Sequence, residues 1–107
     1  MLYLHTMKLI ELNIAQIVSL CRKYKVKALY VFGSILTSRF NDESDVDLAV
    51  SFDKENIALE DYADNFFSLQ FDLEAIFNRQ VDLVCYDAIT NPIFRQELDE
   101  TKRLLFG

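Results

Sequence analysis

Apolar positions along the chain recur at two spacings, and the changes between them mark its elements. Ile10, Ile14, Ile17, Cys21 and Tyr24 fall at steps of four, three, four and three, with Glu11, Asn13, Gln16, Arg22 and Lys23 off that line. This spacing lines one face of a helix with 3.6 residues per turn, so a first amphipathic helix is expected. Residues 27–32, Lys-Ala-Leu-Tyr-Val-Phe, are rich in β-formers and end at Gly33, as a buried strand would. Residues 34–39 suit a short helical turn, and 41–44 form a polar loop. From 45 to 51, Val46, Leu48 and Val50 alternate with Asp45, Asp47 and Ala49, the period of a second strand. After a loop over 52–59, the helical spacing returns on Tyr62, Phe66, Leu69, Leu73 and Ile76. A second strip of Ala63, Phe67 and Phe71 widens that surface; both phenylalanines are expected to face the sheet as core, the alternative being that aromatics on two strips leave one strip for a partner. Val81, Leu83 and Cys85 alternate with Asp82 and Val84 in a third strand. Asn91-Pro92 opens a last helix, to about Glu100: Asn caps well, and Pro at the first helical position loses no needed N–H. Residues 103–106 can add an edge strand. The alternation predicts an α/β (α+β) layer fold, with amphipathic helices packed on a small mixed sheet.

Composition narrows the class. Half of the 107 residues (51%) are hydrophobic, enough to offset the entropy of folding, so disorder is excluded. Gly33 is the sole internal glycine and Pro92 the sole proline, which excludes collagen-like and linker-rich chains. The length suits one domain over 1–107, burying roughly two-thirds of its unfolded surface. A net charge of -6 argues against direct nucleic-acid binding or an anionic membrane surface, both of which favour a basic face. Arg22, Lys23, Lys25 and Lys27 gather at one helix end, where cations complement the dipole. Cys21 and Cys85 form no CxxC pair and sit in apolar segments, as free thiols in a reducing compartment do. No run of 18 apolar residues spans a membrane, and the N-terminus lacks a basic signal-peptide start, so a cytoplasmic location is expected.

Three carboxylates stand where folding alone would not place them. Asp45 and Asp47 are two apart and so project from one face of a strand, and Asp82 interrupts another apolar strand. If those strands pair, all three converge. Two like charges ~4 Å apart repel by roughly 4 kcal/mol at an effective dielectric of 20, so such a site carries a raised pKa or a cation. All-oxygen ligands favour hard divalent ions, and Mg²⁺ takes one or two carboxylates together with substrate phosphates. Gly33-Ser34 supplies the complement: a glycine after a strand lets the backbone turn and approach a ligand, and N–H groups at a helix start suit phosphate oxygens. Metal-binding carboxylates facing a phosphate-binding turn imply nucleotidyl or phosphoryl transfer. Each piece alone is weak, since Gly-Ser is a common turn with a helix cap and Asp-x-Asp arises by chance. The specificity lies in their order.

That order, Val31-Phe-Gly-Ser34 through Ser44-Asp-Val-Asp-Leu48, resembles the GS-x10-DxD signature of the nucleotidyltransferase superfamily. It is most similar to the minimal nucleotidyltransferases, small prokaryotic domains of about this length. The opening helix, the Gln80-Val-Asp-Leu-Val84 strand and the Asn91-Pro-Ile-Phe94 helix start extend the resemblance over nearly the whole chain. It implies that Gly33 and Ser34 hold the triphosphate of a nucleoside triphosphate, expected to be ATP. Asp45 and Asp47 would ligate Mg²⁺, and Asp82 would complete the metal site or help deprotonate the acceptor hydroxyl. That hydroxyl would attack the α-phosphate in line and expel pyrophosphate. The place three residues after the Ser, basic in many members, holds Thr37 here, so the resemblance leaves Arg39 as the candidate substitute phosphate contact, a plain surface role being the alternative. In this family stand-alone domains commonly act as antitoxins that adenylylate a HEPN-domain ribonuclease toxin. A protein acceptor supplied in trans fits a chain with no second domain to shape a small-molecule pocket, and an acidic surface suits a basic toxin. The alternatives are transfer to a small molecule such as an antibiotic by a homodimer, and a catalytically silent binding module. The domain would then work as a homo- or hetero-oligomer.

Overall fold

A computed structural model describes residues 8–36, 41 and 43–107. The elements are α1 (Ile14–Lys23), β1 (Val26–Phe32), a 3-10 turn at Gly33–Leu36 and β2 (Val46–Phe52). A 3-10 turn at Leu59–Asp61 then leads into α2 (Tyr62–Phe77), followed by β3 (Val81–Cys85) and a 3-10 turn at Tyr86–Ala88. The last elements are α3 (Pro92–Thr101) and β4 (Arg103–Phe106). The described residues form a mixed four-stranded sheet in the order β3-β2-β1-β4. β1 runs antiparallel to β2 and to β4, whereas β2 and β3 are parallel and joined through α2. The expected α/β fold is therefore present, with each strand within a residue of its expected start.

Side-chain alternation gives the sheet two unlike faces. Leu29 and Val31 of β1, Val46, Leu48 and Val50 of β2, and Val81 of β3 are buried on one face, against Ile17 and Cys21 of α1 and Leu69 and Leu73 of α2. Ala49 and Leu98 are also buried but stand outside that cluster. Ala49 alternates onto the opposite face, where α3 packs.

The opening helix is not continuous. Residues 8–12 are helical, Asn13 is a turn, and α1 follows. The Asn13 amide donates to Leu9 O at 2.8 Å, and its N–H reaches Ile10 O at 3.0 Å, three residues back instead of four. Side-chain competition of this kind is why Asn is a poor helix-interior residue. The break turns Ile14, an expected core position, outward to 38% exposure while Ile10 and Ile17 remain buried. The second correction concerns α2. Phe67 and Phe71 are 64% and 72% exposed, not sheet-facing. At 3.6 residues per turn they lie roughly 120° to 160° around from Leu69 and Leu73, which already fill the contact with the sheet. Asn78 ends α2 in the left-handed region (φ 52°), and Lys25 does the same between α1 and β1 (φ 59°). These residues take turn positions that glycine usually serves.

Candidate active site

β1 ends at Phe32, and Gly33 turns the chain with φ +77°. A side chain at this position would be strained by the backbone, and its Cβ would also collide with the carboxylate of Asp47. The glycine thus makes room for an acid as well as for a turn. Phe32 is the register partner of Asp47, and Asp47 is the register partner of Asp82 on the parallel strand beyond. Val46 and Leu48 on either side of Asp47 are buried in the core, as are Val81 and Leu83 beside Asp82. Alternation therefore turns both carboxylates to the face away from the main core, side by side on neighbouring strands. Asp47 is half-buried and Asp82 exposed.

Asp45, expected as the first residue of β2, lies exposed just ahead of the strand. The loop carrying it is held by Arg79, whose Nη1 donates to the carbonyls of Asn41 and Ser44, each at 3.0 Å. Val46 N–H donates to Gln80 O at 3.1 Å, so the entrances of β2 and β3 are tied together. Arg79 carried no signal in the sequence, because a lone arginine after a helix belongs to no periodicity. The Ser34 main chain lies in the 3-10 turn after Gly33. Thr37 and Arg39 lie outside the described residues.

α3 covers the β1 side of this face. Its Asn91 cap accepts from the N–H groups of Ile93 and Phe94 at 3.0 and 3.1 Å. The Phe94 ring meets Phe32 edge-on at 6.0 Å, and Tyr30 packs on Tyr86 at 5.4 Å. The Arg95 guanidinium sits 3.9 Å from the Tyr86 ring centre, and the Tyr86 hydroxyl donates to Asp99 at 2.6 Å. That hydroxyl, with Lys102 at 2.9 Å, holds the Asp99 carboxyl below its usual range.

Among the described residues, no three acidic, imidazole or thiol groups are gathered closely enough to enclose a metal ion unaided. What the sheet provides is an in-register carboxylate pair beside a glycine turn. This donor set fits Mg²⁺, which takes one or two carboxylates and completes its shell with water and phosphate oxygens. A cavity of about 620 Å³ lies elsewhere, past the other ends of β2 and β3, lined by Ile57, Tyr62, Cys85 and Ala88. Its Asp87 is already bonded to Ser51 at 2.8 Å and paired with Lys54 at 3.7 Å. With one engaged carboxylate and mostly apolar walls it offers no second acid for a metal.

Residues 15–107 match the model of the family described as polymerase beta, nucleotidyltransferase. Two proteins of Methanocaldococcus jannaschii, each named "Putative protein adenylyltransferase" (MJ1379 and MJ0128), are similar in sequence. The first is 33% identical over 78 residues, covering 73% of this chain and 75% of the relative. The second is 36% identical over 78 residues, covering 73% and 74%. Among solved structures, a chain described as a "putative minimal nucleotidyltransferase" superposes with a TM-score of 0.68 at 26% identity, covering 88% of this chain and 90% of that one. A chain of the MntA-HepT toxin-antitoxin structure superposes at 0.62 with 25% identity, covering 91% and 72%. A toxin-antitoxin structure with AMP-PNP shares the fold at 0.67 and 24% identity. The turn, the register of the carboxylate pair and these matches converge, and the chain belongs to the polymerase-beta nucleotidyltransferase family.

Proposed function

We propose that this chain transfers AMP from ATP to a protein hydroxyl, and that its target is a HEPN-domain ribonuclease toxin silenced by the modification. The observation that carries the reading is the in-register pair Asp47 and Asp82, with Asp47 lying over Gly33. The main chain of Gly33 and Ser34 receives the triphosphate, with Arg39 as the further phosphate contact. Asp45, Asp47 and Asp82 are the groups that would hold Mg²⁺, which when bound neutralises phosphate charge. Asp82, exposed beside half-buried Asp47, completes the metal site or takes the acceptor's proton, directly or through water. As the acceptor oxygen bonds to the α-phosphorus, the bond to pyrophosphate breaks and pyrophosphate leaves with its electron pair. Most of the catalytic effect on this reading is positioning and charge neutralisation.

The protein acceptor is supported by relatives named as protein adenylyltransferases and by structural neighbours that are toxin-antitoxin complexes. ATP as donor agrees with the AMP-PNP of one neighbour, and a cytoplasmic site of action is part of the same proposal. Among the described residues, no helix is long and apolar enough to cross a membrane.

The test is co-expression with a HEPN-domain protein, sought first in the neighbouring reading frame, followed by intact-mass measurement of that protein. The wild type adds one or more AMP masses and restores growth. Asp45→Asn with Asp47→Asn adds none and fails to protect. Equal protection by both, with no mass change in either, rejects transfer in favour of a silent binding module.

A further inference from the structure

The outer side of α2 carries apolar groups that no part of the fold covers. Leu59, Ala63, Phe67 and Phe71 follow one another at steps of four, and Leu59, Phe67 and Phe71 are 89%, 64% and 72% exposed. Together these three present roughly 400 Å² of apolar surface, the size of the largest patch on a typical monomer, which is often functional. At its Leu59 end the row borders the 620 Å³ cavity between Ile57, Tyr62, Cys85 and Ala88. The surface thus has a ridge of two aromatic rings and, beside it, an apolar hollow.

The charges along the helix row are acidic, and Lys54, on the cavity wall, is already paired with Asp87 at 3.7 Å. Between residues 55 and 78 the chain has six carboxylates and no Lys or Arg. Of these, Glu60, Asp61 and Asp64 are exposed along the row. Asp72 and Glu74 are engaged with Tyr24 and with Val81 N–H. A second copy would set identical acids against each other, and phosphate-bearing surfaces would be repelled in the same way. A protein that lays apolar side chains on Phe67 and Phe71 and brings Lys or Arg to the rim meets both demands.

We propose that this face of α2 docks the protein partner through an apolar ridge or helix flanked by basic residues. The inference rests on the proposed protein acceptor and adds where that acceptor is held. α2 lies on the side of the sheet opposite Asp47 and Asp82, so a partner gripped there leaves the carboxylates free. Docking therefore raises the local concentration of the acceptor without occupying the reaction site.

The probe is a fluorescein-labelled helical peptide with leucines on one stripe and lysines on both flanks, with a twin carrying glutamate for lysine. Binding is read by anisotropy without nucleotide, so it reports docking whether or not transfer occurs. The lysine peptide should bind at least about tenfold tighter than its twin. Phe67→Gln with Phe71→Gln should weaken it about tenfold with at most a small fall in melting temperature, since both rings are exposed and Phe67 loses only its edge-on contact with Phe66 at 5.3 Å. Leu104→Ser, at an exposed leucine on β4, should leave it unchanged. Three results overturn the proposal: no binding, equal binding by wild type and the double variant, or self-association of the chain that the double variant abolishes.

Discussion

Gly33 meets two demands at once, a left-handed backbone (φ +77°) and a neighbour that tolerates no Cβ, the Asp47 carboxylate. Gly33→Ala should cost about 2 kcal/mol by chemical denaturation and abolish Mg²⁺-dependent ATP binding, because Asp47 must move to admit the methyl. Unchanged nucleotide affinity would show that the carboxylate can shift without consequence. Lys25 meets the same backbone demand without being glycine (φ 59°), so Lys25→Gly should raise stability by up to about 1 kcal/mol in the same assay. Cys21 titrates far from its ordinary range, because burial pushes its thiol from 9.0 up to about 12. The folded state then keeps a proton that the unfolded chain loses near pH 9. Stability from this group is intact below that pH and lost as pH rises towards 12. The Tyr24 hydroxyl, raised first by its hydrogen bond to the Asp72 carboxylate, acts in the same direction. Melting temperature should fall above about pH 9, and less steeply in Cys21→Ala; parallel curves would count against burial as the cause.

At the scale of elements, alternation located β2 and β3 to within a residue, since the strand signal and the burial that enforces it are the same pattern, whereas β1 was legible from its β-formers and the glycine that ends it. Asn91-Pro92 shows how local chemistry sets a boundary: the Asn91 side chain accepts from both Ile93 and Phe94 N–H, so Asn91→Ala should cost about 1 kcal/mol in thermal unfolding. The misreadings have physical reasons. The break at Asn13 comes from a side chain competing for main-chain partners, which a count of apolar spacings does not register. Phe67 and Phe71 are apolar by composition, but a helix on a sheet buries only the side facing it. Their angle from Leu69 and Leu73 was legible; that the outer side lacked a covering layer was not. Arg79 was invisible for a third reason, since its two carbonyl partners, Asn41 and Ser44, lie more than thirty residues away in the chain.

In the whole molecule, the site is a product of strand order. β2 sits between β1 and β3, so Asp47 has the Phe32–Gly33 turn on one side and Asp82 on the other. The sequence order Gly-Ser, Asp-x-Asp, Asp named the participants, and parallel pairing of β2 with β3 brought the last two together. The core under them is shared, with Val46, Leu48 and Val81 buried between the acids and the helices. The most direct measurement is transfer of label from α-labelled ATP to the purified HEPN-domain partner, with and without Mg²⁺. Wild type should label the partner only with Mg²⁺, and Asp82→Asn should lower the rate at least about a hundredfold. Label that appears without Mg²⁺, or at an undiminished rate in Asp82→Asn, would contradict a reaction carried by these carboxylates.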